Sequence, residues 1–367
     1  MRKALVIADD LSGAAEVAGI GHRYGLPTRL VRRPPVNFDP GLTVIDTDTR
    51  LLPPADAAAA VIRFTAEAGV GVFDLIYKKS DSVLRGPVAA ELDALLPALG
   101  RTSALLAPQN PSLGRVIVGG EYYIDGLPLH ETPFASDPTH PRWSSDVAEL
   151  LGTHRHVIRI AAGASADDLR KHAAKLPADV LPAGGADFFI ALLEERGLPE
   201  KLTEKQPFLG HTPAGPALFV CGSTAPSPFI PGVATRPMMD ATDAWRDAVC
   251  ALLEGGEHAM MTIDRPLDRS PGAAAQIERT MAAVAAAVLR RCPVRTVLIT
   301  GGATAVSVCR AMGWDEFEVE GELASGVVQL RPTLAGAPRL VIKPGSYPWP
   351  PQLGGMGEVS LRRLDGG

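Results

Sequence analysis

Short continuous apolar runs alternate along this chain with longer stretches in which apolar residues recur every three or four positions. The first run, ALVIA from Ala4 to Ala8, has the pattern of a strand buried on both faces. A helical pattern follows from about Ala14 to Arg23. The alternation continues with a strand over 43–46, a helix over about 55–68, a strand over 73–77, a helix over about 87–99 and a strand over 103–107. Repeated βα units predict a mostly parallel sheet covered by helices. Val116 to Leu129, VIVGGEYYIDGLPL, breaks the pattern: β-branched and aromatic residues surround Asp125-Gly126, a strong hairpin turn signal. Strands near 157–160 and 179–181, each followed by a helix, complete this region at about Arg196.

The polar stretch from Gly197 to Gly215 has the composition of a connecting segment. A second α/β series follows, with strands over 217–223, 259–264 and 296–302 and an Ala-rich helix over about 272–291. A chain of 367 residues exceeds what one hydrophobic core usually serves. The expectation is two three-layer α/β domains with mostly parallel sheets, residues 1–205 and 206–367, with a β-hairpin inserted in the first. The cleft between them is the default place for a small ligand.

Composition narrows the function classes. Apolar residues make up 46% and charged residues 21%, so both halves can bury a core. A formal charge of -5 argues against nucleic acid as a partner, because such affinity comes from neutralising phosphates. Cys221, Cys250, Cys292 and Cys309 lie far apart in sequence, without zinc-ligand or disulfide-scaffold spacing. The first apolar run is too short for a signal peptide, and no segment reaches the roughly 18 apolar residues of a membrane span. A cytoplasmic protein without membrane partners is expected.

Candidate chemistry clusters at strand ends, where open α/β sheets bind ligands. After the first strand come Asp9 and Asp10, then Ser12-Gly13 at a helix start. Either aspartate suits a general base or a hydroxyl partner, and capping of the helix is the plainer reading. The second strand ends in DTDTR, where Arg50 fits a substrate carboxylate or an internal pair with Asp46 or Asp48. The third runs into YKKSDSVLRG, placing Lys78, Lys79, Ser80, Asp81, Ser82 and Arg85 before a helix. Further along, Gly222-Ser223-Thr224 and Gly301 to Thr304 are glycine turns that let backbone N–H groups approach a phosphate. IKPGSYP offers Lys343, readable as a solvated strand end, and Gly345. None of these turns matches the P-loop or the dinucleotide fingerprint. His154 and His156 lack the further ligands a zinc site needs, and no GxSxG elbow is present.

In order, IADDLSGAAEVAG, YKKSDSVLRG, GRVIVGGEYYIDGLPLHETPFASDPTHP, CGST, TGGATA and IKPGSYP resemble the four-carbon acid sugar kinase family over nearly the whole chain. The resemblance implies an N-terminal domain that holds a sugar acid and a C-terminal domain that binds ATP. It implies phosphorylation of the terminal hydroxyl of threonate, erythronate or a keto-tetronate. Substrate contacts would fall on Asp10, Arg50, Lys79, Ser80, Asp81 and Ser82, with Asp10 and Asp81 as candidate catalytic residues. ATP contacts would fall on Ser223, Gly301, Gly302, Ala303, Thr304 and Gly345. Mg2+ would bridge the ATP phosphates, held largely by phosphates and water. A homodimer is compatible with this reading. PQNPSLGR, residues 108–115, departs from the proline-aromatic-proline run usual in the family. That departure keeps a kinase of a different small hydroxy acid as one alternative. Ala303 in TGGATA and Pro344 in IKPGSYP depart from the family's usual turns and keep a sugar-acid-binding protein with a degenerate ATP site as another.

Overall fold

The computed structural model describes residues 1–34, 37–137, 139–152, 157–201, 215–222, 241–262, 272–345 and 347–350, and the backbone of 233–235 and 360–361. The chain divides into two compact units, Met1–Lys201 and Leu202–Gly367.

The first unit contains β1 (Lys3–Ala8), α1 (Leu11–Arg23), β2 (Thr28–Val31), β3 (Gly41–Asp46), α2 (Pro54–Ala68), β4 (Leu75–Lys79), α3 (Val88–Ala98) and β5 (Ser103–Ala107). It continues with β6 (Arg115–Val118), β7 (Glu121–Ile124), β8 (Leu127–Pro128), α4 (Val147–Leu151), β9 (Ile158–Ile160), α5 (Ala166–Ala174), β10 (Val180–Gly184) and α6 (Ala186–Glu195). Seven of these strands pair in the order β2-β3-β1-β4-β10-β5-β9, every pair parallel. Leu5, Ile7, Ile45, Val61, Leu92 and Leu106 bury their side chains in one core. Burying each contributes on the order of 2 kcal/mol against the chain's lost entropy.

The register aligns the strand ends. Ala8 lies opposite both Asp46 and Lys79, and Gly184 lies opposite both Lys79 and Ala107. Whatever follows these residues therefore emerges along one edge. The chain runs from β1 to β2 and β3 on one side, then crosses to β4 on the other, so β1 marks a switch point in strand order.

The inserted segment is a three-stranded meander, β6-β7-β8, rather than a single hairpin. Gly119-Gly120 connects its first two strands, and the Asp125-Gly126 turn, with φ of 50° and 82°, connects the last two. The sequence signal at Asp125-Gly126 marks a real turn, but the earlier glycine pair divides the apparent long strand in two.

The second unit contains β11 (Ala217–Cys221), β12 (Val233–Thr235), α7 (Thr242–Glu254), β13 (Ala259–Thr262), α8 (Ala273–Arg291), β14 (Thr296–Thr300) and α9 (Gly302–Met312). It ends with β15 (Glu316–Ala324), β16 (Val327–Pro332), β17 (Arg339–Lys343) and β18 (Ser360–Leu361). The strands β18-β12-β13-β11-β14-β17 are parallel, and β16 and β15 extend the sheet antiparallel beyond β17. Phe219, Leu298 and Val341 centre its core. The ends again align: Cys221 lies opposite Thr262 and Thr300, and Thr300 opposite Lys343. Among the described residues no helix is long and apolar enough to cross a membrane.

Candidate active site

In the first unit, the residues just past β1, β3 and β4 converge at the switch point. Asp10 is the N-cap of α1, with extended backbone, and accepts from the Gly13 N–H at 2.8 Å through Oδ1. Its Oδ2 accepts from the Ser12 hydroxyl at 2.6 Å. The capping reading of Asp10 is therefore realised, but it occupies only part of the carboxylate's hydrogen-bonding capacity.

Arg50 reaches the same place from the loop after β3. Its Nε donates to Asp9 Oδ2 at 2.7 Å and its Nη2 to Asp9 Oδ1 at 3.1 Å and Asp10 Oδ1 at 2.6 Å. Nη1 lies 3.6 Å from Asp81 Oδ1. One guanidinium thus meets three carboxylates. The internal pair foreseen with Asp46 or Asp48 goes instead to Arg32, which sits 3.3 Å from Asp46 and 3.9 Å from Asp48. Burial, with Asp48 adding, pushes the Asp46 carboxyl up to about 7.

Asp81, after β4, is saturated by donors. Its Oδ2 accepts from the Val83 and Arg85 N–H groups and Arg85 Nε, and its Oδ1 from Arg85 Nη2 at 2.8 Å. Burial opposes ionisation of Asp81, but Arg85 and then Arg50 outweigh it and hold the carboxyl well below the usual range. Burial likewise works against ionisation of Asp9, and the charges of Arg50 and Lys78 prevail to lower its pKa.

The lysines of YKKSDS are buried. Lys78 Nζ pairs with Glu91 at 2.9 Å, and Thr49 also hydrogen-bonds Glu91. Lys79 Nζ lies 3.3 Å from Glu16 and donates to the Ser80 carbonyl at 3.0 Å. Ser82 Oγ takes a hydrogen bond from Arg115. Ser80 is fully buried and its Oγ has no hydrogen-bond partner. Asp10, Arg50, Lys79, Ser80, Asp81 and Ser82 are thus brought to one sheet edge.

Glu16 and Glu91 were not among the residues singled out by sequence. Their signal was a glutamate within a helical stretch of mainly apolar or small residues, at a position where the helix faces the core. A buried glutamate needs a cation, and the adjacent Lys78-Lys79 pair supplies both.

The second unit gathers three turns at its strand ends. Gly222 N–H donates to the Thr300 carbonyl at 3.2 Å, and Gly301 N–H to the Lys343 carbonyl at 2.9 Å. A Cβ on Gly222 would overlap the Thr304 side chain, so only glycine permits this approach. Gly301, with φ of 101°, is the N-cap of α9, which has no side-chain cap; Gly302, Ala303 and Thr304 form its first turn. The open N–H groups and the helix dipole suit a phosphate, so these residues fit a nucleotide's anionic end. Gly345 lies in the turn after β17, beside the same edge. Ser223, like His154 and His156, lies outside the described residues.

Lys343 is not a solvated strand end. It is 3% exposed, and its Nζ donates to the carbonyls of Pro344 at 2.9 Å and Tyr347 at 2.5 Å and sits 5.5 Å over the Trp349 ring. Burial pushes its ammonium down to about 8. The lysine folds back over the turn that carries Gly345 rather than reaching outward.

Comparison with known proteins matches residues 4–190 to a sugar-binding N-terminal domain and residues 237–347 to a nucleotide-binding C-terminal domain. A D-threonate kinase of Bordetella bronchiseptica is 28% identical over 360 residues, 88% of each chain. A D-threonate kinase of Salmonella typhimurium is 34% identical over 160 residues, which span 42% of this chain and 37% of that relative. A D-erythronate kinase of Heliobacterium modesticaldum is 34% identical over 163 residues, 41% of this chain and 36% of that relative. Among solved structures, Haemophilus influenzae protein HI1011 superposes with a TM-score of 0.67 at 19% identity, covering 96% of this chain and 98% of that one. At that identity the likeness speaks to the fold alone. With the sugar-binding match covering half of the sequence and the nucleotide-binding match following it in order, the chain belongs to the four-carbon acid sugar kinase family.

Proposed function

We propose that this protein transfers the γ-phosphoryl group of ATP to the terminal hydroxyl of a four-carbon acid sugar. The observation that carries the reading is the convergence of Asp9, Asp10, Arg50 and Asp81 at the strand-order switch of the first unit. A cluster of ionised, hydrogen-bonded groups there is suited to a small ligand rich in hydroxyls and carrying one carboxylate. Arg50 and Lys79 lend positive charge to that edge although each already has internal partners.

Phosphoryl transfer asks the protein mainly to position the groups. Of the aspartates, Asp10 is the better base. Both oxygens of Asp81 are held by the Arg85 side chain, whereas Asp10 Oδ2 is held by the neutral Ser12 hydroxyl. A carboxylate held by guanidinium on both oxygens gains little from a proton, whereas Arg50 holds Asp10 through Oδ1 alone. Asp81 then serves to fix Arg50 and Arg85. The nucleotide's phosphates fit the first turn of α9 and the turns at Gly222 and Gly345. Mg2+ would neutralise charge on the phosphates, held by them and by water. Dependence on ATP supports a cytoplasmic setting.

The test is ADP release with Mg-ATP across D- and L-threonate, D- and L-erythronate, their 3-oxo forms and five-carbon acids. One or two four-carbon acids are expected to support turnover. ATP binding without ADP release on any acid would remove the proposal, and preference for a five-carbon acid would move it to the neighbouring substrate class.

A further inference from the structure

The loop after β5 carries polar side chains that the reaction so far leaves unused. Asn110 is 1% exposed. Its Oδ1 accepts from the Asp187 N–H, in the first turn of α6, at 3.1 Å. An N–H can meet only the amide oxygen, so this bond fixes the orientation of the side chain and leaves Nδ2 as the free end. That Nδ2 is buried and has no hydrogen-bond partner. Ser80 Oγ is in the same condition.

The strand pairing puts these two groups on the same edge. Gly184, the last residue of β10, lies opposite Lys79 on β4 and Ala107 on β5. Its carbonyl accepts from the Ser80 N–H at 3.0 Å, and a Cβ on the next residue, Gly185, would overlap Asn110 Oδ1. Ser80 and Asn110 therefore flank the Gly184-Gly185 turn. Buried polar groups are almost always paired, so an unpaired one calls for a partner such as a bound water, ion or ligand. An amide NH2 donates only, so its partner must be an oxygen that accepts.

We propose that Asn110, beside Ser80, is a specificity-determining residue whose Nδ2 donates to a carboxylate or keto oxygen of the bound sugar acid. The proposal rests on the sugar-acid kinase reading and deepens it. It also gives the PQNPSLGR segment, set apart in the sequence, a chemical role.

Asn110→Asp is the discriminating change. It keeps an oxygen for the Asp187 N–H and nearly the same shape, but turns the donor into a negatively charged acceptor. A buried carboxylate there also costs stability, so folding of the variant is checked first by its melting temperature. The proposal expects KM for the acid to rise on the order of 10- to 100-fold, with KM for ATP unchanged. Asn110→Ser, which also removes the NH2 donor, serves if the aspartate variant does not fold, with the same split expected. Loss on threonate, erythronate and 3-oxo-tetronate alike identifies the carboxylate as the acceptor. Loss confined to the 3-oxo acid identifies the keto oxygen. An acid KM within about twofold of wild type in the folded variant overturns this proposal and leaves the kinase reading standing. Wild-type protein that binds no acid by calorimetry overturns both.

Discussion

Arg50 and Asp81 show how tightly charge is balanced at the residue scale. Around Arg50 stand Asp9, Asp10 and Asp81, and around Asp81 stand Arg50 and Arg85. Truncating one partner of such a buried set leaves the others uncompensated. Asp81→Asn should cost about 3 kcal/mol of stability at pH 7. The pH dependence follows from sign. Folding holds Asp81 and Asp9 below their ordinary value of 3.8, so their stabilisation is present above that pH and is lost as pH falls through the depressed values. Melting temperatures measured from pH 8 down to pH 2 should show the gap between wild type and Asp81→Asn closing as the solution acidifies. A gap that stays constant would mean that the carboxylate's ionisation does not hold the cluster. At this scale the sequence is informative about residue type and strand-end position, since Asp10, Arg50, Lys79 and Asp81 all reach one edge. It is silent on partners. Nothing within DTDTR indicates that Arg50 passes over Asp46 and Asp48 for aspartates about forty positions away, because that choice depends on strand register.

At the scale of elements, the glycine turns of the second unit do work that side chains would obstruct. Gly222→Ala would drive a Cβ into Thr304 in the first turn of α9. The helix start must shift to relieve it, and phosphate-binding geometry is sensitive to such displacements. The variant should weaken ATP binding by about 10-fold or more, while acid binding to the first unit is retained. Paired calorimetric titrations with ATP and with the acid check this, and equal loss of both would point to general misfolding instead. Strands with continuous apolar runs, such as β1, β11 and β14, are legible because burial on both faces forces that composition. Less legible are β2, only four residues long, and β15, where glutamates at 316, 318, 320 and 322 lower strand propensity. The meander was read as one hairpin because the Asp125-Gly126 signal is stronger than that of Gly119-Gly120. The burial of Lys343 is not legible in sequence because a charged residue ending an apolar run usually meets solvent; here the following turn wraps over it.

For the whole molecule, the sugar-binding match falls within the first unit and the nucleotide-binding match within the second. The order of α/β repeats and the change of composition near residue 200 indicate two α/β regions from sequence. The identity of the acid depends on the placement of individual donors such as Asn110 Nδ2, which periodicity does not encode. The most direct measurement is phosphorus NMR of the wild-type protein and Asp10→Asn, each incubated with Mg-ATP and the acid that supports turnover. The account predicts, for wild type, ADP and one phosphomonoester whose phosphorus couples to the two protons of the acid's terminal carbon, with ester formation slowed on the order of 100-fold or more in Asp10→Asn. Release of inorganic phosphate without an ester, or an undiminished rate in Asp10→Asn, would contradict it.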